Sequence, residues 1–110
     1  MSKQFTLFKT ECAKWLDRLS LHDWEVNYEL SPIDGGLAWC SANLDGREAT
    51  MGLNPDVKMT DAEVRACAKH ECLELLVAPL DTLASRRYVT PSDIECARHA
   101  IVRRLEHALK

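Results

Sequence analysis

The sequence predicts an α+β domain: an N-terminal helix, a three-stranded mostly antiparallel sheet, a central helix and a C-terminal helix. Three observations predict it. Apolar residues recur in steps of three and four near the start, alternate through the second quarter, and return to helical spacing after residue 60. Two capping signatures, Thr60-Asp61-Ala62-Glu63 and Thr90-Pro91-Ser92-Asp93, mark helix starts. Strands first and helices after favour a sheet covered by helices. No repeat and no Pro/Gly-rich linker divides the 110 residues, so they read as a single domain over 1–110, long enough to bury roughly 65% of its unfolded surface.

Phe5–Leu19 sets Leu7, Phe8, Cys12, Trp15, Leu16 and Leu19 on one face of a helix. Trp24–Leu30 alternates Trp24, Val26, Tyr28 and Leu30 with Glu25, Asn27 and Glu29, a strand with one dry face. Ser31-Pro32-Ile33-Asp34-Gly35-Gly36 is a turn. Leu37–Leu44 and Glu48–Leu53 are two more strands, and Asp45-Gly46 between them signals a tight hairpin with positive φ. The three strands are expected as a meander. The helix that starts after Thr60 is expected to run to Val77, where Pro79 kinks or restarts it. The last helix carries Ile94, Ala97, Ile101, Leu105 and Ala108 as its apolar stripe.

Composition narrows the function classes. Hydrophobic residues at 46% and charged residues at 28% exclude a disordered or fibrous chain. The net charge of −3 gives no electrostatic footprint for nucleic acid. No stretch approaches the roughly 20 apolar residues that span a bilayer, and no apolar segment follows the N-terminus as in a secretory signal. A reducing cytoplasm is the expected compartment. Cys12, Cys40, Cys67, Cys72 and Cys96 are odd in number and show no C-x-x-C pair, so they read mainly as packed thiols.

The chemistry gathers on the helix after Thr60. On a helical wheel Glu63, Cys67, His70, Glu71 and Glu74 share one arc, while Leu73, Leu75, Leu76, Val77 and Ala78 leave the other sides apolar. A central helix with one ionisable stripe is expected to turn that stripe into a cleft. His70 and Glu74 stand at i and i+4, the spacing by which one helix offers two ligands to one metal. Glu71 beside them is the candidate general base. Zn²⁺ accepts both His nitrogen and Glu oxygen, and two His with one Glu is a catalytic set. His99 on the last helix is the preferred third ligand, with Glu95 the alternative. The competing reading is a solvated helix face with no metal at all.

Lys69-His70-Glu71-Cys72-Leu73-Glu74-Leu75-Leu76-Val77-Ala78-Pro79-Leu80 resembles the active-site helix of a family of small phage and prophage metallopeptidases. His99-Ala100-Ile101-Val102-Arg103-Arg104-Leu105-Glu106, Trp24-Glu25-Val26 and Cys40-Ser41-Ala42-Asn43 are similar to other parts of that family, so the resemblance spans nearly the whole chain. It implies a minimal zincin domain of the SprT-like or mini-gluzincin type. His70 then matches the first zinc ligand and Glu71 the general base. Glu74 replaces the family's second His, and His99 matches a recurrent His on the last helix. The exchange implies weaker zinc affinity or another divalent metal. Two functions follow. One is a zinc-dependent peptidase of a phage, working in the cytoplasm of the bacterial host on a peptide or protein substrate. The other is an inactive zincin-fold protein that binds and modulates a host protein.

Other residues have plainer readings. Arg86, Arg87, Arg98, Arg103 and Arg104 interleave with Asp93, Glu95 and Glu106, which favours a solvated face with i,i+4 pairs over a phosphate site. Tyr88 is either a transition-state donor or, more simply, a partly buried loop aromatic. A Cys67–His70 nucleophile would lack an orienting third group. His22 and His107 read as surface residues.

Overall fold

The computed structural model describes residues 2–109. Its elements are α1 (Lys3–Arg18), β1 (Glu25–Leu30), β2 (Ala38–Asn43), β3 (Glu48–Leu53), α2 (Asp61–Ser85) and α3 (Pro91–Ala108). The α+β class and the order of elements are those the sequence predicts.

The strand pairing departs from the expected meander. The sheet is mixed, in the order β1-β3-β2, with β1 parallel and β2 antiparallel to β3. A meander would place β1 beside β2. The seven residues 31–37 instead cross over the end of β3 and leave a slot that β3 fills. Two strand spacings, about 10 Å, are within their reach. Asn54, at the end of β3 and 4% exposed, pins the crossing. Its Nδ2 donates to the carbonyls of Ile33 (3.1 Å) and Gly36 (2.9 Å), and its Oδ1 accepts from the Asp56 amide (3.0 Å). Gly35, at φ 74, supplies the left-handed turn there.

The connection between β2 and β3 also differs from a two-residue primed turn. It has four residues, Leu44–Arg47, closed by Arg47 N–H donating to the Leu44 carbonyl at 3.3 Å. The positive φ falls on Arg47 (52°), not on Gly46. The Arg47 guanidinium lies 5.2 Å from the Trp24 ring and 3.4 Å from Asp23, contacts that offset the backbone cost.

α1 and α2 lie on one face of the sheet, and α3 packs against α2. β3 is the central strand, and Ala49, Met51 and Leu53 on its inner face are buried against Phe8 and Cys12 of α1 and Val64, Ala68, Cys72 and Leu75 of α2. On the outer face Gly52 lies under the ring of Trp39, where a Cβ would collide with the indole. Gln4 ties α1 to the approach of α2, donating to the Val57 carbonyl (3.1 Å) and accepting from the Met59 amide (2.7 Å).

Both predicted capping boxes are present, at Thr60 with Glu63 and at Thr90 with Asp93. The helix does not stop or restart at Pro79 as expected; α2 is one helix of 25 residues. The proline removes one backbone donor, and the helix continues through it to Ser85. Nor is α2 apolar-packed on every other side. Leu73, Val77 and Leu80 form an outer stripe that stays partly exposed.

Candidate functional site

The ionisable stripe of α2 opens into a cleft of about 390 Å³ between α2 and β2. Its walls are Leu37 and Ala38 on one side and Glu63, Ala66, Cys67, His70 and Glu71 on the other. α2 reaches this place because its adjoining face carries Val64, Ala68, Cys72 and Leu75 into the core. β2 reaches it because the pinned crossing delivers Leu37 and Ala38 to the rim.

β2 is an edge strand. The Asn54 amide donates to the Leu37 carbonyl (2.9 Å), which makes that pair hydrogen-bonded. In an antiparallel ladder such pairs alternate with non-bonded ones. Ala38, Cys40 and Ala42 therefore turn their amides and carbonyls toward the free edge, and their side chains share the α2 side of the sheet.

Glu71 is the unusual residue of the cleft. It is 7% exposed, and among the described residues no hydrogen bond or ion pair engages its carboxylate. Burial raises its pKa above the ordinary value of 4.5; the charge of His70 opposes this and that of Glu74 adds to it. The neighbouring thiols respond to the same field. Cys40 is pushed up to about 12, first by burial and then by Glu71, Cys72 and Glu74. Cys67 is raised by burial, then by Glu71 and Glu63. Raising the Cys67 thiol works against its use as a nucleophile with His70.

His70 Nε2 and Glu74 Oε1 lie 3.4 Å apart across one turn of α2, with both side chains at least half exposed. His99 Nε2 and Glu95 Oε1 make a second one-turn pair, 4.0 Å apart, on α3. Among the described residues no three His, Cys, Asp or Glu side chains gather closely enough to hold a metal ion. The structure thus brings His70 and Glu74 together and does not bring His99 or Glu95 to them. A catalytic zinc takes three protein ligands. As arranged, the side chains leave that set one ligand short.

No family model matches this chain, and neither a curated protein nor a solved structure does.

The remaining candidates settle elsewhere. Tyr88 is 84% exposed, with the Arg87 guanidinium 5.5 Å from its ring. Arg86 pairs with Asp45 at 2.6 Å, and Arg104 pairs with Asp23 at 3.0 Å while donating to the Ser20 carbonyl. These are bridges between elements rather than the i,i+4 pairs expected along one helix. All five Cys are free thiols, with Cys12 and Cys72 buried. His22 faces Asp17 at 3.3 Å on the surface. No described helix is long and apolar enough to cross a membrane. Sequence reasoning expects an edge strand able to pair with an extended peptide, but it missed Asn54 and that the edge beside α2 belongs to β2. The crossing over β3 that defines both leaves no periodic signal.

Proposed function

We propose that this chain is a peptide-binding protein, and that its α2–β2 cleft holds an extended segment of another protein. The observation that carries the reading is the free edge of β2 running beside a cleft lined by Glu71, a largely buried residue whose carboxylate has no partner among the described residues. An added strand would pair with Ala38, Cys40 and Ala42 and lay alternate side chains over the cleft, the β-augmentation mode. The protein then acts as a modulator that seizes a partner, in a reducing cytoplasm compatible with five free thiols. Addition of blocked, extended hexapeptides to ¹⁵N-labelled protein is expected to shift the amide signals of Ala38, Cys40 and Ala42 before any others. Shifts confined to α3 would contradict the reading.

Peptide hydrolysis is the second reading, favoured by one observation. Glu71 has the raised pKa of a general acid–base residue and sits in the cleft where a bound peptide bond would lie. That reading requires a divalent metal such as Zn²⁺, for which His70 and Glu74 are candidate donors and His99 or Glu95 the third. Protein purified without chelator is expected, on this reading, to carry stoichiometric metal that His70→Ala and Glu74→Ala remove. It is also expected to cleave peptides, whereas Glu71→Gln keeps the metal and loses cleavage. Trace metal and intact peptides leave the binding reading alone.

A further inference from the structure

The cleft has a chemical character that selects among peptides. Its lining is apolar along Leu37, Ala38, Ala66 and the Cys67 thiol, and otherwise carries only Glu63, His70 and Glu71, with no Lys or Arg. Glu74 stands one turn beyond, beside His70. Glu63 already spends one carboxylate oxygen on the Thr60 amide as a cap. Glu71 has no such partner and is more than nine-tenths buried. A largely buried carboxylate with no hydrogen-bond donor, and only the exposed His70 as counter-charge, is costly, so the ligand that fits supplies a donor and a closer charge.

We infer that the cleft takes a lysine or arginine side chain of the docked peptide, its aliphatic stem along Leu37, Ala38, Ala66 and Cys67 and its cationic head on Glu71. This rests on the peptide-docking reading and adds the specificity. An added strand lies about 4.8 Å from β2. Its side chains that face α2 then point into the cleft from above. Long cationic residues bury their methylenes against apolar walls and keep the charge for a polar end. A Leu in that place would leave Glu71 sealed and unpaired. An Asp or Glu would add a like charge to Glu63, Glu71 and Glu74.

The test compares three blocked hexapeptides of alternating Val and Thr that differ at one central position: Lys, Arg, or the uncharged norleucine. Binding to the full ¹⁵N-labelled chain is read at Ala38, Cys40 and Ala42. The Lys and Arg peptides are expected to bind about tenfold or more tightly than the norleucine peptide. Glu71→Gln, with its spectrum otherwise preserved, is expected to erase that preference. Glu74→Gln, at the exposed rim, is expected to reduce it by less. Equal binding of all three peptides at the β2 edge would overturn the cation pocket and leave docking intact. A preference that survives Glu71→Gln would overturn the assignment to Glu71. No shift of the β2 amides with any peptide would overturn the docking reading and the pocket with it.

Discussion

α2 and α3 begin with the same device and end in different roles. Each opens on a Thr whose hydroxyl and N3 acid form a reciprocal capping box. Beyond the first turn they diverge. α2 buries Val64, Ala68, Glu71, Cys72, Leu75 and Leu76, whereas α3 buries only Ala108. Capping decides where a helix starts; the apolar face decides whether it belongs to the core. One consequence concerns the candidate chemistry. The α2 stripe that carries His70 and Glu71 adjoins a buried face, so Glu71 is desolvated and its environment is defined. The α3 pair of Glu95 and His99 lies in the open, where a weak ion pair contributes little.

The comparison breaks most sharply on core truncation. Leu75→Ala in α2 is expected to cost about 3 kcal/mol of unfolding free energy, while Val102→Ala in α3 stays within about 0.5 kcal/mol. Denaturant melts with unchanged m-values check both. Similar costs at the two sites would mean that α3 is far better packed than its exposure indicates.

The cleft wall opposite α2 rests on Asn54. Asn54→Ala removes both donations to the crossing loop and the bond from Asp56, and is expected to cost about 2 kcal/mol. Hydrogen exchange of residues 33–38 is expected to rise in step, because among the described residues no other side chain is seen to donate to this crossing. A loss of stability without faster exchange there would place the effect of Asn54 elsewhere.

The shared capping boxes allow a matched pair. Thr60→Ala is expected to lower global stability by about 1 kcal/mol. Thr90→Ala, at the head of the peripheral helix, is expected to act mainly as faster exchange in the first turn of α3. Equal effects on global unfolding would show that α3 unfolds with the core rather than before it.

Much of this contrast is legible in the sequence. The capping signatures place both helix starts correctly, and the alternation of Val26, Tyr28 and Leu30 finds β1. The wheel places Cys67, His70 and Glu71 on one arc, which the fold turns into the cleft. What the sequence hides is relational. Nothing local distinguishes β1-β3-β2 from a meander, because the 31–36 segment reads as a turn whichever slot it spans. Helical spacing brings Glu74 to His70, but the side of α3 that meets α2 is set by long-range packing. That is why His99, expected as third ligand from its place on the flank of the last helix's apolar stripe, is not brought to the pair among the described residues.

A smaller effect follows from Glu71 alone. Its pKa is raised in the folded protein, so its favourable contribution is present below the ordinary value of 4.5 and is lost as pH rises through the folded value. Glu71→Gln is therefore expected to melt higher than the native chain at pH 7. The difference shrinks as pH falls toward 4, where the native side chain is protonated as well. Thermal melts at the two pH values read this directly, and a variant destabilised at pH 7 would show Glu71 to be paired in solution.

The central claim, that the free edge of β2 beside Glu71 is the working surface, is met most directly by one measurement. The ¹⁵N-labelled chain is titrated with the central-Lys hexapeptide, and amide shifts are mapped along the chain. Shifts that saturate at Ala38, Cys40 and Ala42, with Cys67, His70 and Glu71 following, are the predicted result. Saturating shifts at Glu95, His99 and their neighbours on α3, with β2 unmoved, would contradict it.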